Sequence, residues 1–501
     1  MNLVGLFLYL REEMIFQALV IVLSFALSKA ISLTDQHVLG NKDDDLLASR
    51  NTYTKREQGD DLCVAGGRQW TGKVPVSHGN SLFYWYFESQ VLPERAPLLM
   101  FLTGGPGEAC TVPLLSGVGP CIINEHGNGT TYNEWTWTTE FNVLFVDEIA
   151  GSGFSKSHQG IEYQPSTVQE VASDLKLFLK TFVDDAFPEL KGRSLHVMGE
   201  SFGGFLAPVV TALLANKTDT ATGSHPDLKV DSLIATSTIL DMGFWAPSYY
   251  DTLCGPPVKY LNASECGVMG SAVPECEKAM LECRRVVNEE ACVAAAEACA
   301  LLVQFWMPPE HNIVRLDAPC HSFPTCSSEV DKIVDYLNSP RVQAILGFAE
   351  EEEEEGKGGK IELIGVDMGI NRAFDKGKSM YFPLMDIYIY LLEQTDVQIL
   401  VQGGVLDPDT PVTGMNRALD SMHWYGQAPF RAAEVQDWYY PSKGKQVNGG
   451  HLRGYDKLWW VVYDNAGHTV PSDVPEASSF VMKQWVKGRL PASFPRGQPV
   501  G

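Results

Sequence analysis

The sequence predicts an α/β fold around a central, mostly parallel sheet flanked by helices, with a disulfide-rich helical insertion. Three observations carry this. From Trp70 onward short apolar runs alternate with helical patterns. A strand-like run passes through Gly199-Glu200-Ser201-Phe202-Gly203 straight into a helical pattern. Eight of the 11 cysteines fall between Cys254 and Cys326, where the alternation breaks down. The chain has 501 residues, 45% of them hydrophobic, enough for a large core. With 38 Lys+Arg against 62 Asp+Glu, its formal charge is −24, which argues against nucleic acid as a partner.

Residues 1–30 read as a signal peptide. An apolar run from Ile15 to Leu27 precedes Ser28-Lys29-Ala30, small residues at the −3 and −1 places of a cleavage site. The run is too short to span a bilayer comfortably, so no stable membrane span is expected after cleavage. Residues 31–66, polar and acidic with Asp43-Asp44-Asp45 and Lys55-Arg56, read as a flexible leader or short pro-segment. A secretory route suits cysteines that pair rather than bind metal, and no CxxC pair with a histidine partner suggests zinc. Asn128, Asn216 and Asn262 each open an acceptor sequon for N-glycosylation.

Strands are expected at Leu82–Phe87, Leu98–Leu102, Val143–Val146, Leu195–Met198, Ile399–Val401 and Trp459–Val462, each a short apolar run bounded by turn residues. Helical patterns fill Val168–Phe182 and Gly203–Leu214. The first part of the core is placed at 67–242, an inserted helical cap at 243–345 and the second part of the core at 346–501. In the cap, Cys276, Cys283, Cys292 and Cys299 are spaced to suit a nested pair, Cys276 with Cys299 and Cys283 with Cys292, across a helical hairpin; other pairings of the four remain open. Cys254, Cys266, Cys320 and Cys326 are further disulfide candidates. An odd cysteine among Cys63, Cys110 and Cys121 predicts a free thiol. Glu350 to Glu355 read as a solvated acidic loop.

The Gly-x-Ser-x-Gly between strand and helix is the context of a nucleophile elbow, in which Ser201 projects from a tight turn above a helix N-terminus. Serine is a poor nucleophile near neutrality and needs a base with an orienting carboxylate. Two later strands lead to such groups, Val397 to Gly404 into Asp407-Pro408-Asp409 and Trp459 to Tyr463 into Asp464-Asn465-Ala466-Gly467-His468. His468 is expected as the base and Asp407, in preference to Asp409, as the acid.

Several motifs in order make the chain similar to the serine carboxypeptidase family from about Gln69 to the C-terminus. Phe83 to Ser89 resembles its early strand, and Thr103-Gly104-Gly105-Pro106-Gly107 its Asn-Gly-Gly-Pro-Gly loop. Asn142 to Asp147 followed by Gly151 to Ser155 resembles the next strand and glycine turn. Gly199 to Gly204 resembles its elbow, and Gly467 to Pro471 with Asp473, Pro475 and Glu476 its histidine motif. The cap cysteines, and Cys320 with Cys326, resemble its disulfides in spacing.

The resemblance implies an α/β-hydrolase fold, a triad of Ser201, Asp407 and His468, and an oxyanion hole from the N–H groups of Gly105 and Phe202. It implies hydrolysis of C-terminal peptide bonds through an acyl-enzyme at acidic pH, without metal or cofactor. The substrates would be peptides or proteins, and the location extracellular or vacuolar/lysosomal. Thr103, Gly104 and Glu200 are the candidate substrate-binding residues. Glu200 matches the Glu before the nucleophile, whereas Thr103 replaces an Asn, and Gly117 stands where a second Glu belongs. Glu108 replaces a usual Cys, and Val405 an Asp that commonly precedes the triad acid. These departures keep an esterase or acyltransferase as an alternative, with an inactive secreted binding protein as a more remote one.

Overall fold

The computed structural model describes residues 52–157, 164–216, 225–256, 260–303, 312–320, 326–348, 362–377 and 382–490. The expected signal peptide, most of the expected leader and the acidic run at 350–355 lie outside these residues.

Thirteen strands are formed: β1 (Arg56–Gln58), β2 (Gln69–Pro75), β3 (Ser81–Phe87), β4 (Leu98–Leu102), β5 (Cys121–Ile123), β6 (Thr130–Tyr132), β7 (Asn142–Val146), β8 (Arg193–Glu200), β9 (Leu228–Thr236), β10 (Gln398–Gly404), β11 (Gln436–Ser442), β12 (Lys445–Tyr455) and β13 (Leu458–Tyr463). Eleven make one sheet in the order β1-β2-β3-β7-β4-β8-β9-β10-β13-β12-β11, while β5 and β6 form a separate hairpin. The middle of the sheet, from β7 to β13, is parallel; both edges are antiparallel. All five residues of β4 and all five of β7 are buried, as expected of central strands covered on both faces. The fold is an α/β-hydrolase.

Helices α1 (Val168–Thr181) and α2 (Phe202–Ala215) cover the sheet. A reciprocal capping box starts α1, with the Thr167 side chain on the Glu170 N–H and the Glu170 carboxylate on the Thr167 N–H. Next come α3 (Met242–Cys254), α4 (Ala263–Val286), α5 (Glu289–Val303), α6 (Ser328–Leu337) and α7 (Pro340–Leu346). The α4–α5 hairpin is bridged by Cys276–Cys299 and Cys283–Cys292, and α3 is tied to α4 by Cys254–Cys266. With Tyr249, Met269, Met280, Leu302 and Leu316 these cysteines make a hydrophobic cluster separate from the main core. Cys320–Cys326 closes a small loop after it.

Two expected boundaries shift. Residues 53–66 are built into the fold. β1 pairs with β2 as an edge strand, Leu62 and Cys63 are buried in the main core, and Cys63 is disulfide-bonded to Cys121. The acidic surroundings hid a three-residue strand whose partners are supplied by β2. Cys110 remains as the free thiol among the described residues, and it is buried. At the other boundary, α6 and α7 contribute Ile333, Tyr336, Leu337, Val342 and Leu346 to the main core. The cap's own core is therefore confined to the segment before them. Among the described residues no helix is long and apolar enough to cross a membrane. Asn128 and Asn262 are exposed, and the Asn262 side chain also caps α4.

Candidate active site

Because β4, β8, β9, β10 and β13 run parallel, their C-terminal ends share one edge of the sheet. Neighbouring strands lie about 4.8 Å apart, so loops leaving these ends can converge. Thr103 and its glycine loop leave β4, Ser201 leaves β8, Asp407 follows β10 and His468 follows β13.

Ser201 has φ 58° and ψ −125°, a conformation costing roughly 1–3 kcal/mol for a residue with a side chain. The surroundings hold it there. Its N–H donates to the Thr236 carbonyl at 3.0 Å, and its own carbonyl accepts from the Thr238 hydroxyl at 2.8 Å. Glycine is required beside it, since a Cβ on Gly199 would overlap the Gly203 carbonyl and one on Gly203 the Leu102 carbonyl. As the first residue of α2, Phe202 has no intrahelical acceptor for its N–H. Gly105, across the site, is exposed.

His468 Nδ1 lies 3.0 Å from Asp407 Oδ2, with both side chains buried. Asp407 is fixed by further donors: the Asp409 and Thr410 N–H groups reach Oδ1 at 2.8 and 2.9 Å, and the Thr410 hydroxyl reaches Oδ2 at 2.6 Å. The His468 N–H donates to the Val314 carbonyl at 2.7 Å, and the Leu316 N–H to the Leu406 carbonyl at 2.9 Å. A strap at the end of the cap thus runs along both loops. The Gly467 N–H donates to Asp473 Oδ2 at 2.6 Å, which anchors the turn carrying the histidine.

Asp409 is more than a turn former. Its Oδ2 stands 3.4 Å from His468 Nε2, so the imidazole lies between two aspartates. Burial disfavours the imidazolium, but Asp407, Asp409 and Glu200 outweigh it and push the His468 pKa up. Burial, with Asp407 adding to it, pushes Asp409 up to about 6 against the opposing pull of His468. The Asp409 carbonyl accepts from Trp245 Nε1 and from the Tyr249 hydroxyl, both at 2.8 Å, so α3 of the cap grips this loop.

The opposite wall is carboxylate-rich. Glu200 is buried, with Oε2 lacking a hydrogen-bond partner, and burial reinforced by Glu108 pushes it up to about 8. Glu108 Oε2 accepts from the Thr103 hydroxyl at 2.6 Å and from the Gly104 N–H at 3.1 Å. The Thr103 hydroxyl, expected to face substrate, is thus directed to a protein carboxylate. Gly117 has φ 135°, and a Cβ there would come within 3.1 Å of Ser472. No carboxylate-bearing residue fits that position in this backbone. Sequence reasoning weighed Asp409 only as an alternative triad acid, and it missed its contact with Nε2 and the closeness of Glu108 and Glu148 to the site. The available signal was their placement: each lies within a few residues of the C-terminal end of a strand that feeds this edge.

Comparison with known proteins identifies the family. The family profile described as serine carboxypeptidase matches residues 63–488. The chain is 27% identical over 460 residues to a carboxypeptidase Y homolog A of Leptosphaeria maculans, covering 90% of this chain and 79% of that protein. It is 24% identical over 429 residues to a vacuolar serine-type carboxypeptidase of Saccharomyces cerevisiae, covering 84% and 79%. Among solved structures, the prohormone-processing carboxypeptidase Kex1 of Saccharomyces cerevisiae superposes with a TM-score of 0.71 at 20% identity, over 86% of this chain and 95% of that one. That likeness shows the shared fold.

Proposed function

Because the chain belongs to the serine carboxypeptidase family, we propose that it removes C-terminal residues from peptides by acyl transfer through Ser201, with His468 as base and Asp407 as its orienting acid. The observation that carries the assignment is the buried Asp407–His468 pair on the same sheet edge as the Ser201 elbow. In this reading Ser201 Oγ attacks the scissile carbonyl carbon while its proton passes to His468 Nε2. The Gly105 and Phe202 N–H groups stabilise the oxyanion, at roughly 3–4 kcal/mol for each such donor. Collapse of the tetrahedral intermediate breaks the C–N bond, and His468 returns the proton to the departing amino group. Water then repeats the sequence on the acyl-enzyme. Asp407 bonds Nδ1 and so keeps Nε2 directed at the serine.

A C-terminal ladder assay at pH 4–6 tests this. Wild-type protein is expected to trim peptides from the C-terminus only, and Ser201→Ala to lower the rate by about 10⁴-fold or more. Trimming by the alanine variant at the wild-type rate refutes the assignment. One observation favours a second reading, an esterase or acyltransferase on the same scaffold: the Thr103 hydroxyl is turned toward Glu108. Ester turnover without release of any C-terminal residue would select that reading.

The five disulfides suit an oxidising compartment. We assign the chain to the secretory pathway, with 1–30 as its signal peptide, glycans at Asn128, Asn216 and Asn262, and an extracellular or vacuolar destination.

A further inference from the structure

We propose that Glu108 is a specificity-determining residue, whose carboxylate claims the donors beside the nucleophile and makes acceptance of a substrate's free C-terminal carboxylate depend on protonation. The inference rests on the carboxypeptidase reading and deepens it. An exopeptidase must place its substrate's terminal carboxylate within one residue of the scissile bond. The wall beside Ser201 is made by Thr103 and Gly104, since a Cβ added to Gly104 would fall 2.9 Å from Ser201 Cβ and 3.2 Å from its Oγ. The donors on that wall are the Thr103 hydroxyl and the Gly104 N–H, and one Glu108 oxygen accepts both. Glu108 is held in turn by its loop: the Ala109 N–H donates to the Gly365 carbonyl and the Asp367 N–H to the Gly107 carbonyl, each at 2.9 Å.

Glu108 lies among titratable groups from several elements. Its charge raises the pKa of Glu200 at the end of β8 and of Glu148 after β7, buried carboxyls that each have one oxygen without a hydrogen-bond partner among the described residues. Asp147 and Cys110 adjoin Glu148, and Asp147 is bound by the Cys110 and Phe154 N–H groups at 2.7 Å. His468 is the cation that acts on both Glu108 and Glu200. Two carboxylates side by side, as Glu108 and an ionised substrate terminus would be, repel strongly in so buried a place unless a proton lies between them. Burial raises the Glu108 pKa, which favours its taking up a proton as the pH falls. A substrate ending in an amide or ester meets no such repulsion and can donate to or ignore the Glu108 carboxylate.

The test compares kcat/KM for one peptide in free-acid and C-terminally amidated forms between pH 4.5 and 7.5. In wild type the acid-to-amide ratio is expected to fall as pH rises. Glu108→Gln, whose amide N–H can donate to a carboxylate, is expected to raise that ratio at pH 7 by about tenfold and to flatten its pH dependence. Labelling of Ser201 by a fluorophosphonate reports that the site is formed. A labelled glutamine variant that keeps the wild-type ratio overturns the proposal. If the variant does not label, wild type decides alone, and a ratio constant from pH 4.5 to 7.5 overturns it. Wild-type protein that labels but releases a terminal residue from neither peptide refutes the carboxypeptidase reading itself, and the proposal with it.

Discussion

The two aspartates flanking His468 do different work on its two nitrogens. Asp407, buried and bonded by four donors, holds Nδ1. Asp409 faces Nε2, the nitrogen that accepts the serine proton in the proposed mechanism, and its charge favours the imidazolium over the free base. Asp409→Asn is therefore expected to lower the histidine pKa, moving the acidic limb of the kcat profile on an ester substrate about one unit toward lower pH. Asp407→Asn should instead lower kcat by about 10⁴-fold across the profile, the size of the effect when a serine-hydrolase histidine loses its orienting acid. A limb that stays in place in Asp409→Asn would show that the contact at Nε2 has no electrostatic consequence. The Ser201 turn and the Asp407–His468 contact were legible because each residue sits just past an apolar strand in a short, chemically constrained turn. Glu108 and Asp409 were not, because their role arises from folding back onto Thr103 and onto Nε2, distances that no spacing in the chain encodes.

Elements were legible in proportion to how evenly they are buried. The central strands β3, β4, β7, β8, β10 and β13 coincide with short, mostly apolar runs. Strands β11 and β12 leave most of their residues exposed or half-buried and carry Lys445, Gln446 and Asn448, so their sequence reads as loop until their pairing is known. The α4–α5 hairpin has exposed faces on both helices, and its small core depends on the cysteines it contains. The outer bridge closes a separation of 23 residues, and removing it by paired Cys276→Ser and Cys299→Ser substitutions should cost about 2–4 kcal/mol. Limited proteolysis is the direct measurement. Cleavage should begin within α4 and α5 in the double variant while the sheet stays intact, and an unchanged cleavage pattern would mean that the cap's apolar contacts suffice alone.

Across the whole molecule, burial raises carboxyl pKa values at widely separated points: Asp147 to about 7, Asp174 to about 6, Asp409 to about 6 and Glu200 to about 8. Unfolded, these groups ionise near pH 4; folded, they keep their protons to higher pH, so the native state binds more protons across that interval. His468 acts with the same sign, its stabilisation being complete below about pH 6.5 and lost as pH rises through its raised folded-state pKa. Stability is accordingly expected to decline from pH 5 to pH 8, with a melting temperature lower by about 5 °C or more. Calorimetric scans at the two pH values check this, and a higher melting point at pH 8 would contradict it. The formal charge of −24 adds self-repulsion in the same direction. Trp245 and Tyr249 of the cap hold the carbonyl of Asp409. The cap thereby braces the loop that carries Asp407, so in the proposed mechanism grafting a foreign cap is expected to disturb the rate of bond cleavage as well.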